Sequence, residues 1–241
     1  MLNRNKEIKS IGKLIFLHLF PGIALSIVYI FFWKSGLLAG YPKIIIAALS
    51  AVFSTIPIEL GILFYVAKKE DGSYNIFKIL GLKSKMTVTK LIVYSLSLLA
   101  AGAILMTALE PVTDYLLKTV FRWIPGWYNW NQDMSLFNRN IIILTIVVEF
   151  IIFALIVPTI EEFYFRGYLL SRMKWMGKYS VLLNVVLFSV YNFQSPWLII
   201  TRIIMMLPLF YFVYKKDSLK LGILGHCLAN FTDVAALMLL L

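Results

Sequence analysis

Seven stretches of this chain are so apolar, and most of them so long, that lipid or a deep core must surround them. They run over residues 13–33, 42–66, 89–109, 141–160, 180–193, 197–214 and 221–241. A helix needs about 20 predominantly apolar residues to cross a bilayer. Most of these runs reach that length, and the fifth is short. Barrel strands would alternate apolar and polar residues, and these runs do not. Soluble domains carry about 25% charged residues, whereas this chain has 15% charged and 61% hydrophobic residues among its 241. Its mean hydropathy is +0.84. The expected fold is all-α, a polytopic transmembrane helical bundle of about seven spans (six to eight). The expected organisation is one membrane domain over 1–241, with amino-terminal helices and loops in 1–140 and the motif-bearing core in 141–241.

Charge tests that count. The basic residues gather in alternate connections: Arg4, Lys6, Lys9 and Lys13; Lys68, Lys69, Lys78, Lys83 and Lys85; Arg166, Arg172, Lys174 and Lys178; Lys215, Lys216 and Lys220. Alternate connections lie on one side of a membrane, and the positive side is cytoplasmic. The amino terminus is therefore expected in the cytoplasm and, after seven spans, the carboxyl terminus outside. The net charge of +11 reads as this orientation signal. Without a basic stripe interleaved with aromatics, no nucleic-acid partner is expected. The third connection carries Trp123, Trp127, Tyr128 and Trp130, a set suited to the headgroup level. Residues 68–85 read as an amphipathic segment on anionic lipid. The single cysteine, Cys227, excludes an internal disulfide and reads as a packing residue. No cleavable leader is expected.

The stretch "IIFALIVPTIEEFYFRG" carries the chemistry. Ionisable groups inside a span cost about 2.5–3.5 kcal/mol each on insertion scales. Glu162 and Arg166 are four apart and meet on one helical face with the acid leading. Glu161 is turned about 100° away, which makes it the spare carboxylate. "GHCLANFTD" places His226 and Asn230 four apart on one face of the last span. "LFSVYNFQSPW" ends an apolar run at Asn192, with Phe188 four residues before it. His18 reads as a hydrogen-bonded packing residue. Glu59, Glu149 and Arg202 interrupt other spans, either as structural partners or as lining of the same cavity.

Taken together, "EEFYFR", "FSVYN" and "HCLAN" resemble the CPBP (CAAX protease and bacteriocin-processing, or Abi) family of intramembrane endopeptidases. That family is known by Glu-Glu-x-x-x-Arg, then Phe-x-x-x-His, then His-x-x-x-Asn/Asp on successive membrane helices. The resemblance covers roughly the carboxyl-terminal half. It implies that Glu161 activates water and that His226 and Asn230 hold the oxyanion, with Glu162 and Arg166 as scaffold. It also implies hydrolysis of a peptide bond in a membrane-associated or lipidated peptide, near the cytoplasmic face and in a wet cavity open to that side. The chain departs from the family at the second motif, where Asn192 occupies the histidine position. An amide hydrogen-bonds water but does not take its proton. An enzyme impaired by Asn192, an enzyme working with Glu161 alone, an introduced replacement and an inactive binding, scaffold or bacteriocin-immunity protein all stay open. A proton transporter centred on Glu161 is a further reading, though no internal repeat supports it. No cofactor is expected. Zinc is not expected either, for there is no H-E-x-x-H and only one histidine falls in the motifs.

Overall fold

The computed structural model describes residues 7–83 and 85–241, so Arg4 and Lys6 lie outside the described residues. Among the described residues helices predominate, and the single β feature is an isolated bridge between Lys83 and Ser218. Six helices among the described residues are long and apolar enough to cross a membrane: α1 (Ile11–Ser35), α2 (Lys43–Asp71), α3 (Val88–Ala108), α4 (Arg139–Leu170), α6 (Pro196–Lys215) and α7 (Leu219–Met238). Between α4 and α6 lies a shorter apolar helix, α5 (Tyr179–Tyr191). Its 13 residues span only ~20 Å. The turn that follows completes the passage, since Phe193 and Pro196 share an apolar pocket with Phe121 and Trp123 of the third connection.

Local sequence explains where the helices begin and end. Ser10 and Thr87 accept backbone N–H groups at the starts of α1 and α3, and Gly36 and Gly72 end α1 and α2 in the left-handed conformation that costs glycine least. Helix α2 breaks once, at Ser54, where ψ swings to −82°. The residues flanking that break, Ala51 and Thr55, face the central cavity.

The basic connections do gather at one end of the bundle. The N–H of Ile8 donates to Arg172 O at 3.2 Å, and Trp175 Nε1 donates to Ile8 O at 3.0 Å. Arg172 pairs with Glu70 at 2.8 Å, Lys174 with Asp217 at 3.3 Å, and the N–H of Leu219 donates to Leu82 O at 2.9 Å. The aromatic third connection sits at the other end. Trp127 O accepts from Tyr29 Oη at 2.9 Å, Lys43 Nζ donates to Gly126 O at 2.8 Å, and Trp33 stacks on Trp127 with ring centroids 5.7 Å apart. Trp123 stays exposed, while Trp127 and Trp130 belong to this internal aromatic cluster.

Two expectations are corrected here. Residues 68–85 do not lay one continuous apolar face on lipid, for Ile76, Ile79, Leu80 and Leu82 are buried in the main core while Tyr74 and Phe77 stay exposed. Gly81 N–H donates to Gly167 O at 2.8 Å, and Leu80 packs on the open face of Gly167. The fourth span does not stop at residue 160. Helix α4 runs through Glu161, Glu162 and Arg166 to Leu170, and Tyr164, Phe165, Leu169 and Leu170 have no exposed surface.

Candidate active site

Helix α4 is wound unusually. Glu149–Ile156 and Glu162–Leu170 are both π-helical, a widened turn common at functional positions. Pro158 accounts for the first. Val157 N–H bonds Ile152 O, five residues back, so the next donor in that register would be Pro158, which has no N–H. Phe153 O is thereby left open, and Asn230 Nδ2 of α7 donates to it at 2.7 Å. In the second π stretch, Phe165 O accepts from Asn184 Nδ2 of α5 at 3.1 Å, and Tyr164 Oη donates to Leu17 O of α1 at 2.7 Å. Two side-chain amides thus tie α7 and α5 to the irregular backbone of α4, and a phenol of α4 ties it to the backbone of α1. With lipid rather than water outside, such bonds and close packing hold a bundle together.

The second π stretch sets out the charges. Arg166 Nη2 lies 3.1 Å from Glu162 Oε1, with both side chains fully buried. The guanidinium is clamped between the rings of Phe210, at 3.7 Å, and Phe188, at 4.3 Å. Gly222 of α7 presses against the Glu162 carboxylate, where a β-carbon would collide with Oε2. That contact lets α7 bring His226 in. Its Nδ1 is 3.0 Å from Glu162 Oε1 and its Nε2 is 3.7 Å from Glu161 Oε2. The imidazole therefore sits between the two glutamates, and Glu162 serves both Arg166 and His226.

Glu161, Asn192, His226 and Asn230 line one cavity of ≈ 430 Å³. The three motif segments, distant in sequence, meet there. Asn192 is the C-cap of α5. Its Nδ2 donates to Phe188 O at 2.8 Å, and its Oδ1 accepts from Gln194 Nε2 at 2.9 Å. The cavity wall is otherwise mostly apolar, including Leu98, Ala103, Met205 and Leu209. Its remaining polar residues include Trp130, Gln194 and Asp233. These belong to the middle of the bundle and to the end opposite the basic connections. At the basic end α4 and α7 are in close contact at Glu162 and Gly222.

The other intramembrane charges divide. Arg202 does line the cavity, donating to Ser189 O at 3.3 Å and Ser195 Oγ at 2.7 Å. Glu149 is not part of the lining and lies near Asp233. Glu59 sits behind the cavity wall, 1% exposed, where Tyr191 Oη donates to its Oε1 at 3.2 Å. Tyr191 also lines the cavity together with Glu161. Sequence reasoning gave Tyr191 no role; the signal was a tyrosine adjoining Asn192 and a lone acid in the second span. His18 is a packing residue as expected. It is fully buried, with Nδ1 donating to Leu14 O at 2.7 Å and Nε2 accepting from Asn184 at 2.9 Å, which fixes a neutral tautomer. Cys227 faces Thr159, with Sγ 3.8 Å from its hydroxyl.

Among the described residues, no group of three or more histidine, cysteine, aspartate or glutamate side chains is placed to hold a metal. No curated protein and no solved structure matches the chain. Residues 143–232, which carry the buried glutamate pair, the α5 cap and the α7 imidazole, match the family model described as type II CAAX prenyl endopeptidase Rce1-like, so over that segment the chain is similar to this family of CAAX proteases.

Proposed function

We propose that the protein is an intramembrane endopeptidase of the glutamic type, with Glu161 as the base that activates water. One observation carries the reading: Glu161 and His226 face one cavity with Asn230 and Asn192, while Glu162 and Arg166 neutralise each other behind them. Glu161 is not committed to the guanidinium and remains available to take a proton from water. Attack on a peptide carbonyl places negative charge on its oxygen. Stabilising that charge requires donors fixed in advance. His226 bonds Glu162 through Nδ1. Its Nε2 faces the cavity beside Glu161, where a hydrogen on that nitrogen would meet the developing oxyanion. Asn230 uses one amide hydrogen on Phe153 O and keeps the other. Glu161 then returns the proton to the leaving amine. Glu162 and Arg166 orient His226 and take no part in proton transfer.

The mostly apolar wall suits a membrane-associated or lipidated peptide as substrate. Glu161→Gln is expected to lower peptide cleavage by about 10²–10⁴-fold, measured on a panel of membrane-associated peptides with the full chain in lipid. Unchanged cleavage removes the assignment.

Orientation follows from the charged end. With the basic connections in the cytoplasm, the amino terminus is cytoplasmic, the carboxyl terminus is outside and the cavity extends into the outer half of the membrane. In a Cys227→Ser background, Arg122→Cys is expected to react with an impermeant maleimide in intact cells, and Tyr74→Cys to react only after lysis. The reverse pattern inverts the orientation.

A second reading has its own observation. Asn192 spends its amide on Phe188 and Gln194, so no second base faces Glu161 at the family's histidine position. A catalytically inactive relative that binds a membrane peptide or partner, as a scaffold or bacteriocin-immunity protein, fits that geometry. It predicts that Glu161→Gln leaves the cellular phenotype intact.

A further inference from the structure

The cavity wall holds a cation whose donors are only partly used. Arg202 of α6 lines the cavity. Its Nη1 donates to Ser189 O at 3.3 Å and its Nη2 to Ser195 Oγ at 2.7 Å. Ser189 lies in the last turn of α5 and Ser195 beyond its end, so the guanidinium bonds on both sides of the Asn192 cap, at the carbonyl end of a helix, where a cation is favoured. A guanidinium carries one hydrogen on Nε and two on each terminal nitrogen. Nε–H and one hydrogen on each terminal nitrogen of Arg202 are left without a partner among the described residues. The Nε atoms of Arg166 and Arg172 lack partners too, but protein closes them off. Nε of Arg202 is not closed off in that way.

No carboxylate accounts for the rest. The other titratable side chains lining the cavity are Glu161, Tyr191, His226 and Asp233. Among the described residues no carboxylate lies within ion-pair distance of Arg202. Glu161 lies nearer to His226, whose Nε2 is 3.7 Å from its Oε2. A charge inside a span is costly and is retained for a partner or a function. The bonds to Ser189 and Ser195 go to neutral oxygens, which an uncharged amide would satisfy. They explain a donor at position 202 but not a cation. What sets a guanidinium apart is its match to a carboxylate, which accepts two parallel N–H bonds from it. The mostly apolar wall, with Leu98, Ala103, Met205 and Leu209, strengthens such a pair.

We propose that Arg202 is a specificity-determining residue of the cavity, taking a carboxylate of the bound peptide on its unused N–H donors. The proposal rests on the reading of the cavity as a peptide site. Arg202 stands at the α5 cap, with Glu161, His226 and Asn230 on the same lining, so the pair fixes which bond of the peptide reaches Glu161. Two parts of a peptide carry the required group, its carboxyl terminus and an acidic side chain, and the test separates them.

The test is equilibrium binding to the full chain in lipid, in a Glu161→Gln background so that no peptide is consumed. The ligands are three fluorescent forms of one short, acylated, apolar peptide: the free acid, its carboxyl-terminal amide, and that amide with one glutamate replacing an apolar residue. The plain amide is expected to bind about 10–100-fold more weakly than the acid. Arg202→Gln, which keeps a donor for Ser189, removes the difference, and Arg202→Lys, which keeps the charge without the fork, retains part of it. A merely structural role would lower thermal stability in Arg202→Gln and Ser195→Ala alike and give no difference between acid and amide. Tight binding of the glutamate-bearing amide alone assigns the contact to an acidic side chain. Equal binding of the acid and both amides overturns the proposal, as does a preference for the acid that survives Arg202→Gln. Binding of none of the three removes the peptide-site reading and the proposal together. Acid-selective binding in a chain that, with Glu161 restored, cleaves none of the peptides retains Arg202 as the anchor and removes the hydrolytic reading instead.

Discussion

Arg166→Ala is expected to destabilise the bundle by about 3–5 kcal/mol, because it leaves the Glu162 carboxylate buried without its guanidinium. Arg166 and Glu162 have no exposed surface, so water cannot replace the lost partner. The substitution also empties the space between the rings of Phe188 and Phe210. A third consequence reaches α7, since Gly222 is packed on Glu162 Oε2 and His226 Nδ1 leans on Oε1. A carboxylate that swings away or takes up a proton releases both contacts. Thermal unfolding in detergent, or denaturant titration in bicelles, measures the loss. Replacing both partners at once, with Glu162→Gln and Arg166→Met, removes the uncompensated charge and is expected to recover a large part of the stability, a coupling that single changes hide. Arg166→Ala as stable as the native chain would show that the pair does not hold the helix. Double-variant stability without cleavage would show that the pair matters for orienting His226 as well as for folding.

What the sequence reveals of this fold, and what it hides, follows the range of the interactions. The six long helices lie close to their hydropathy runs because bilayer thickness acts on each span separately. The gathering of basic connections at one end was legible for the same reason: each connection answers to the membrane, not to its neighbours. The end of α4 was not. Glu161, Glu162 and Arg166 read as the edge of a span, yet the helix continues to Leu170 because Glu162 and Arg166 neutralise each other and two aromatic rings cover the guanidinium. Hydropathy counts charges one at a time and misses such cancellation. The second π turn was invisible too, since it depends on what α5 offers to the freed carbonyl of Phe165. Within the site, the motif residues were legible as types at spacings. Glu59 was legible only as a costly acid, because its bond to Tyr191 joins residues 132 apart in sequence. The apolar residues of 68–85 misled for a related reason. An amphipathic segment buries its apolar face either on lipid or under the bundle, and here Gly167 leaves the room that draws Leu80 inward.

Asn192→His is expected to raise peptide cleavage by about 10²–10⁴-fold, the worth of a positioned general base. The geometry of the α5 cap makes this specific. Asn192 Nδ2 donates to Phe188 O at 2.8 Å. In histidine, Nδ1 stands the same number of bonds from the backbone, so an Nδ1–H can keep that cap. Keeping it fixes the tautomer, because a carbonyl accepts and does not donate. Nε2 is then left with a free lone pair, one atom farther into the cavity that Glu161 also lines. A water held between Nε2 and the Glu161 carboxylate would face two acceptors in place of one, and the second could take the proton that an amide cannot. The Gln194 amide, which now donates to Asn192 Oδ1 at 2.9 Å, loses that acceptor, at a small cost beside the cavity. The gain should depend on Glu161: in the Asn192→His background, Glu161→Gln is expected to return cleavage to the background level. Steady-state kcat on one cleaved peptide, with thermal unfolding as the control for folding, decides the matter. An Asn192→His protein that folds as well as the native chain and cleaves no faster would mean that position 192 serves α5 as a helix cap and that whatever chemistry the cavity performs belongs to Glu161, His226 and Asn230 without it.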